Sequence, residues 1–288
     1  MDRNELTLLG KRARERLEAA LETNDRDAAR NACEFLAKEY VLIHKGLRKV
    51  LEYAMEYIEG AFREEQAAIA RRITEAVRAG DSAQARALLQ ERDRQHQRIH
   101  DQFISMKAGF YSYVGNVFGD QRLEEILRHT GTRQQQGFER WERMSVEEFV
   151  RASAHLLKTH MGTVTVLEDE EKYTIVQDPC GSGGRLMREG AYEDPAPLYR
   201  IAAAQGMTFG KPNFPSYCAH CAVWNHLQCI EWFGHPQWCI EHPAGPTDPC
   251  RLYIYKDRRR IPERFYRQVG KVPGEPEGTP RRTEEDNG

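Results

Sequence analysis

An α+β fold is predicted: an N-terminal helical bundle of two αα-hairpins, then a small antiparallel-sheet domain with flanking helices. Three observations carry this. Apolar residues recur at helical spacing from Leu6 to Phe110. After residue 162 the period changes to short β-branched and aromatic runs. Six of the seven cysteines then fall between Tyr173 and Lys256. The expected divisions are a bundle over 1–118, connecting helices over 119–162, a cysteine-rich α+β domain over 163–271 and a disordered tail over 272–288.

The first helix places Leu6, Leu9, Ala13, Leu17 and Leu21 on one stripe. Asn24 and Asp25 interrupt it and supply a new N-cap. A long helix follows through Cys33, Leu36, Tyr40, Ile43, Leu47, Val50, Ala54 and Ile58, with Gly60 as its expected stop. A third covers Ala61 to Ala79, and a fourth carries Ala85, Leu89, Ile99, Phe103, Met106 and Phe110. A shift of 56 residues pairs Asp25 with Asp81, His44 with His100 and Tyr57 with Tyr113, which suggests a pseudo-twofold pair of hairpins. Asp120–His129 reads as a short helix. Ser145 with Glu148 forms a capping box for a helix that ends near His160. Thr163–Leu167 and Tyr173–Val176 read as a hairpin. Pro195–Ala204 and Tyr217–Phe233 read as helices, and Gln237–Ile240 and Arg251–Tyr255 as strands.

The formal net charge of −2 gives no global electrostatic case for nucleic acid or anionic membrane. The longest apolar runs fall short of a membrane span. A cytoplasmic protein is expected, with cysteines reduced rather than paired into a disulfide framework. The basic run from Arg258 to Arg267 reads as a solvated face.

The chemistry concentrates in Asp178-Pro179-Cys180, Tyr217-Cys218-Ala219-His220-Cys221 and Asp248-Pro249-Cys250. Cys218 and Cys221 are spaced to direct both sulfurs at one ion. Cys180 closes one expected strand and Cys250 opens another. If those strands are neighbours, Cys180, Cys218, Cys221 and Cys250 make a four-thiolate site for zinc or an iron–sulfur cluster. Two other readings stay open: buried thiols acting as small hydrophobes, or a single activated nucleophile, for which Cys180 is the first choice. His220 is a ligand or proton carrier. Cys229, Cys239 and Cys33 read as core.

Gly181-Ser182-Gly183-Gly184-Arg185 offers converging N–H groups beside a fixed positive charge, suited to a carboxylate, phosphate or oxyanion; the alternative is a plain hairpin loop. His96 and His100 share a helix face beside Asp101, and His44 is the counterpart of His100 under the 56-residue shift. A bundle could bring His44, His96, His100 and Asp101 together to bind a metal, but hydrogen-bonded structural histidines are the favoured explanation. Trp224, Trp232, Phe233, Trp238, Tyr253 and Tyr255 are candidates for an apolar ligand pocket or for ordinary core.

On these motifs, and on Leu252-Tyr253-Ile254-Tyr255-Lys256 after the second Asp-Pro-Cys, the stretch from Val164 to Lys256 resembles a bacterial cysteine-rich family. It is similar to the L-2-amino-thiazoline-4-carboxylic acid hydrolase-like proteins and, more distantly, to the 4-vinyl-reductase type ligand-binding domain. The first resemblance implies opening of a small heterocycle or amide. The second implies a small-molecule-binding module, with cysteine-bound metal as an option.

The expectation is thus a cytosolic hydrolase of a small anionic organic molecule. Cys180, His220 and Arg185 would be catalytic, and Gly181 to Arg185 would bind the substrate. Zinc would sit on the four cysteines, and the bundle would make a homodimer. The alternative is a non-catalytic small-molecule or redox sensor.

Overall fold

The computed structural model describes residues 3–274, with side chains from Leu6 onward. The expected tail therefore lies almost wholly outside the described residues. The architecture is α+β, with long N-terminal helices followed by a small antiparallel sheet. The chain divides into two compact units, Met1–Asp93 and Arg94–Gly288. The expected boundaries at 118 and 162 both fall inside the second.

The first unit begins with α1 (Arg3–Leu9) and α2 (Ala13–Glu22). It continues with α3 (Arg26–Arg78) and the start of α4 (Ser82–Thr132). Asp25 caps α3 as expected, accepting from the amides of Asp27 and Ala28 at 3.2 and 3.0 Å. Buried Ala13 and Ala20 on α2 and Ala32 on α3 let helices approach closely. Three expectations fail here. The N-terminal helix is split, because Gly10 to Arg12 break it. Gly60 does not end a helix: α3 runs through it, since an interior glycine costs only about 1 kcal/mol against alanine. For the same reason the expected second and third helices are one element. Between Tyr40 and Ile58, α3 keeps its large apolar side chains exposed, Leu42 at 76% and Ile43 at 62%.

In the second unit α4 absorbs the short helix expected at 120–129, with non-helical Gly119 inside it. Then come α5 (Gln135–Glu142) and α6 (Val146–Thr159). The capping box on α6 is present in both directions, Glu148 amide to Ser145 at 3.2 Å and Ser145 amide to Glu148 at 2.9 Å. The sheet has the order β1 (Val164–Glu168), β2 (Lys172–Gln177), β6 (Cys250–Tyr255), β5 (Cys239–Glu241), all antiparallel. The two cysteine-bearing strand ends are neighbours, with Gln177 opposite Cys250. Alternation puts Ile175, Gln177, Leu252, Ile254 and Ile240 into the core. Between β2 and β5 lie α7 (Gly183–Arg188) and a small ladder of β3 (Arg200–Ile201) with β4 (Phe214–Pro215). That ladder occupies part of the helix expected at 195–204.

The helix expected over 217–233 is composite. It starts as α8 (Ala219–Ala222), widens to a π-helix over Val223–Gln228 and ends as α9 (Cys229–Phe233). Gly234, at φ 81°, closes it in the left-handed conformation that glycine adopts without strain. After β6, α10 (Arg264–Arg267) packs Phe265 and Tyr266 inward.

Candidate functional site

The second unit has a partly open cavity of about 1040 Å³. Cys180, Ser182, Gly183 and Gly184 line it, as do Cys218, His220, Cys221 and Cys250. Trp224 and Trp238 line it too, while Trp232, Phe233, Tyr253 and Tyr255 do not. Most of the sequence-predicted site is therefore brought to one volume.

The thiols share one electrostatic neighbourhood. Cys218 feels Cys221, Cys180 and Cys250, and Cys250 feels Cys180 and Cys221. Burial, the first cause in each case, pushes the thiols of Cys218 and Cys250 well above their ordinary value and that of Cys221 up to about 12. Among the described residues no three His, Cys, Asp or Glu side chains form a metal-holding group. The donor types suit zinc, but their placement does not assemble a coordination shell.

His220 has a defined tautomer. Its Nδ1–H donates to the Tyr217 carbonyl at 2.5 Å, so its Nε2 lone pair faces Cys221 Sγ at 3.5 Å. Burial holds this imidazole neutral, well below its usual pKa.

The glycines of the loop serve close packing. A Cβ on Gly181 would lie 1.7 Å from the His160 carbonyl oxygen, and one on Gly183 would lie 2.5 Å from Cys218 Sγ. Gly183 and Gly184 open α7 rather than a free hairpin loop. Arg185 is turned to other work. Its Nε lies 3.1 Å from Asp101 Oδ1, it also pairs with Glu189, and it is not among the cavity-lining residues.

Asp101 and His100 belong to a polar chain that reaches the cavity. His100 Nδ1 donates to Asp101 Oδ1 at 2.9 Å, and its Nε2 lies 3.2 Å from His160 Nδ1. His160 Nδ1 is also 3.1 Å from Ser182 Oγ. Burial first, then the charges of His100 and Lys107, lower the pKa of His160 to about 4. His44 stacks on Tyr40 on α3, in the first unit.

Two buried histidines and a cysteine are held by backbone groups. His226 accepts from the Ile240 amide at 2.9 Å and meets the Phe265 carbonyl at 3.2 Å. Cys229 donates its thiol to the Trp224 carbonyl at 3.0 Å across the π turn. His242 lines the cavity and donates through Nδ1 to the Pro243 carbonyl at 3.0 Å.

Sequence reasoning missed Lys107, His160 and Tyr111. Lys107 follows Met106 on the apolar stripe, and a cation on such a stripe was the available signal. His160 read only as a helix end.

Set against known proteins, the chain matches no family model, no curated protein and no solved structure. Among the described residues no helix is long and apolar enough to cross a membrane.

Proposed function

We propose that the second unit is an enzyme that hydrolyses a small organic molecule held in the cavity, with Cys221 as nucleophile and His220 as its base. One observation carries this: the tautomer imposed on His220, whose committed Nδ1–H leaves Nε2 facing Cys221 Sγ at 3.5 Å. The Tyr217 carbonyl plays the orienting part that such pairs need. In the reaction Nε2 takes the S–H proton while Sγ bonds to an electrophilic acyl carbon. The adduct expels a nitrogen or sulfur leaving group, which takes that proton back. Water then cleaves the thioester, releasing the acid and restoring the thiol. Burial raises the Cys221 thiol pKa, and Lys107 acts against that rise, so its charge favours the thiolate as it forms. Cys180 lines the same cavity, but among the described residues no histidine nitrogen is hydrogen-bonded to it.

A second use of the thiols is a zinc or iron–sulfur site on Cys180, Cys218, Cys221 and Cys250. The four thiols are donors of the type such a site takes, and all line the same cavity. They would have to move together to hold the metal, since as placed they form no metal-holding group among the described residues. No step above is routed through it.

The test is a panel of small amides, thioesters and thiazoline-type heterocycles, with mass spectrometry of the Cys221 peptide. Turnover lost in Cys221→Ser, with a covalent adduct trapped on Cys221 in the wild type, supports the reading. Turnover retained in Cys221→Ser overturns it. Stoichiometric metal in protein purified without oxygen supports the second use. Binding without turnover supports a sensor.

A further inference from the structure

We propose that Lys107 is the anchor for a carboxylate, and that the ligand of the cavity is a small carboxylic acid with an aromatic or aliphatic body. This rests on reading the cavity as a substrate pocket, and it moves the anion site from the glycine loop to α4.

Lys107 is a half-buried cation on the cavity wall. Its ammonium lies 4.6 Å from the Trp224 ring centre, 5.2 Å from Tyr217 and 5.7 Å from Tyr111. These rings offset part of its desolvation. They supply no negative charge. Among the described residues no carboxylate pairs with Lys107 and no acceptor hydrogen-bonds it.

The groups that face it are uncharged near neutral pH. Tyr111 on its own helix and Tyr217 across from it have pKa values raised by burial. His160, after α6, is lowered to about 4, and His220 on α8 is held neutral. Cys221 is pushed up to about 12. Burial in turn lowers Lys107 itself to about 8. A desolvated cation without a counter-ion is costly. A carboxylate arriving with a ligand removes that cost and gains charge-assisted hydrogen bonds. Ile126, Phe138, Trp141, Leu156 and Trp238 give the wall an apolar and aromatic part that suits the ligand body, while Arg133, Arg140, Arg188 and Asp248 also line the cavity.

The experiment uses a matched pair, phenylacetate and phenylacetamide, titrated into the full chain and followed by calorimetry and by tryptophan fluorescence, since Trp141, Trp224 and Trp238 line the cavity. In the wild type the acid binds about 30-fold more tightly than the amide. Lys107→Met keeps the melting temperature and abolishes that preference. Above pH 8 the acid loses affinity up to tenfold per unit, while the amide does not. Equal binding of acid and amide by the wild type overturns the anchor and leaves the pocket standing. A preference that survives Lys107→Met also overturns it. If neither compound binds, the anchor and the substrate-pocket reading both fall.

Discussion

The contact between Gly183 and Cys218 can be tested as a packing problem with a defined answer. In Gly183→Ala the new methyl would sit 2.5 Å from Cys218 Sγ and 3.3 Å from Tyr217 Cδ1. Neither neighbour can give way cheaply, because both residues are buried. Overpacking of this kind costs about 1–3 kcal/mol. The second unit is of a size where 1 kcal/mol moves the melting temperature by about 2–4 °C, so a fall of about 4–8 °C is expected for ~2 kcal/mol. Gly109 on α4 is the control, since nothing lies within 4 Å of its added Cβ. Gly109→Ala is expected to stabilise by about 0.5–1 kcal/mol. The decisive measurement is a double-mutant cycle by thermal and urea unfolding. Removing the sulfur in Gly183→Ala/Cys218→Ala should recover at least half of the loss. A Gly183→Ala protein as stable as the wild type, or a double mutant with no recovery, refutes the packing argument and with it the role given to this glycine.

Four further outcomes follow from the geometry. Cys239, buried and with its thiol pushed up by that burial, should resist iodoacetamide at pH 8 while exposed Cys33 reacts at once, as peptide mass spectrometry would show. His226 and His242 are held down to about 3 and His160 to about 4, all below their unfolded value of about 6.5. Their contribution is complete above pH 6.5 and is lost as pH falls towards 3, so the melting temperature should drop steadily over that window, and a flat profile would count against neutral burial. Arg185→Met should lower stability by about 1 kcal/mol by leaving Asp101 with His100 alone as its partner, with carboxylate affinity unchanged; lost affinity at unchanged stability would return the anion site to the loop. Lys45 and Lys49 precede Glu52 and Glu56 on the exposed apolar stretch of α3, so two antiparallel copies would match opposite charges. Light scattering should give twice the mass of the chain, reduced to one by Leu47→Glu with Val50→Glu; a monomeric wild type would refute this.

What the sequence revealed tracks how local each signal is. The α6 capping box needs only Ser145 and Glu148, and it reads directly. The strands reaching Cys180 and leaving Cys250 read from short β-branched and aromatic runs, but the sequence left their adjacency open, because pairing between segments so far apart in the chain is tertiary. Gly60 misled because a glycine is a stop only where the chain has another use for it, and here nothing packs on it. The π turn over Val223–Gln228 has no sequence period of its own, so the helix looked uniform. Lys107 and His160 belong to distant segments whose meeting is tertiary. In one dimension the first was a lysine among many and the second a helix terminus.

The seven cysteines also form a graded depth gauge. Cys33 is exposed, Cys180, Cys221 and Cys250 are half-covered around the cavity, and Cys218, Cys229 and Cys239 are buried. No label has to be introduced to follow this chain as it loosens. A timed alkylation pulse in rising urea would mark Cys33 first, then the cavity thiols as the pocket opens, and Cys229 and Cys239 only on global unfolding. The order of marking would separate local breathing of the pocket from loss of the sheet, in one experiment on the unmodified chain.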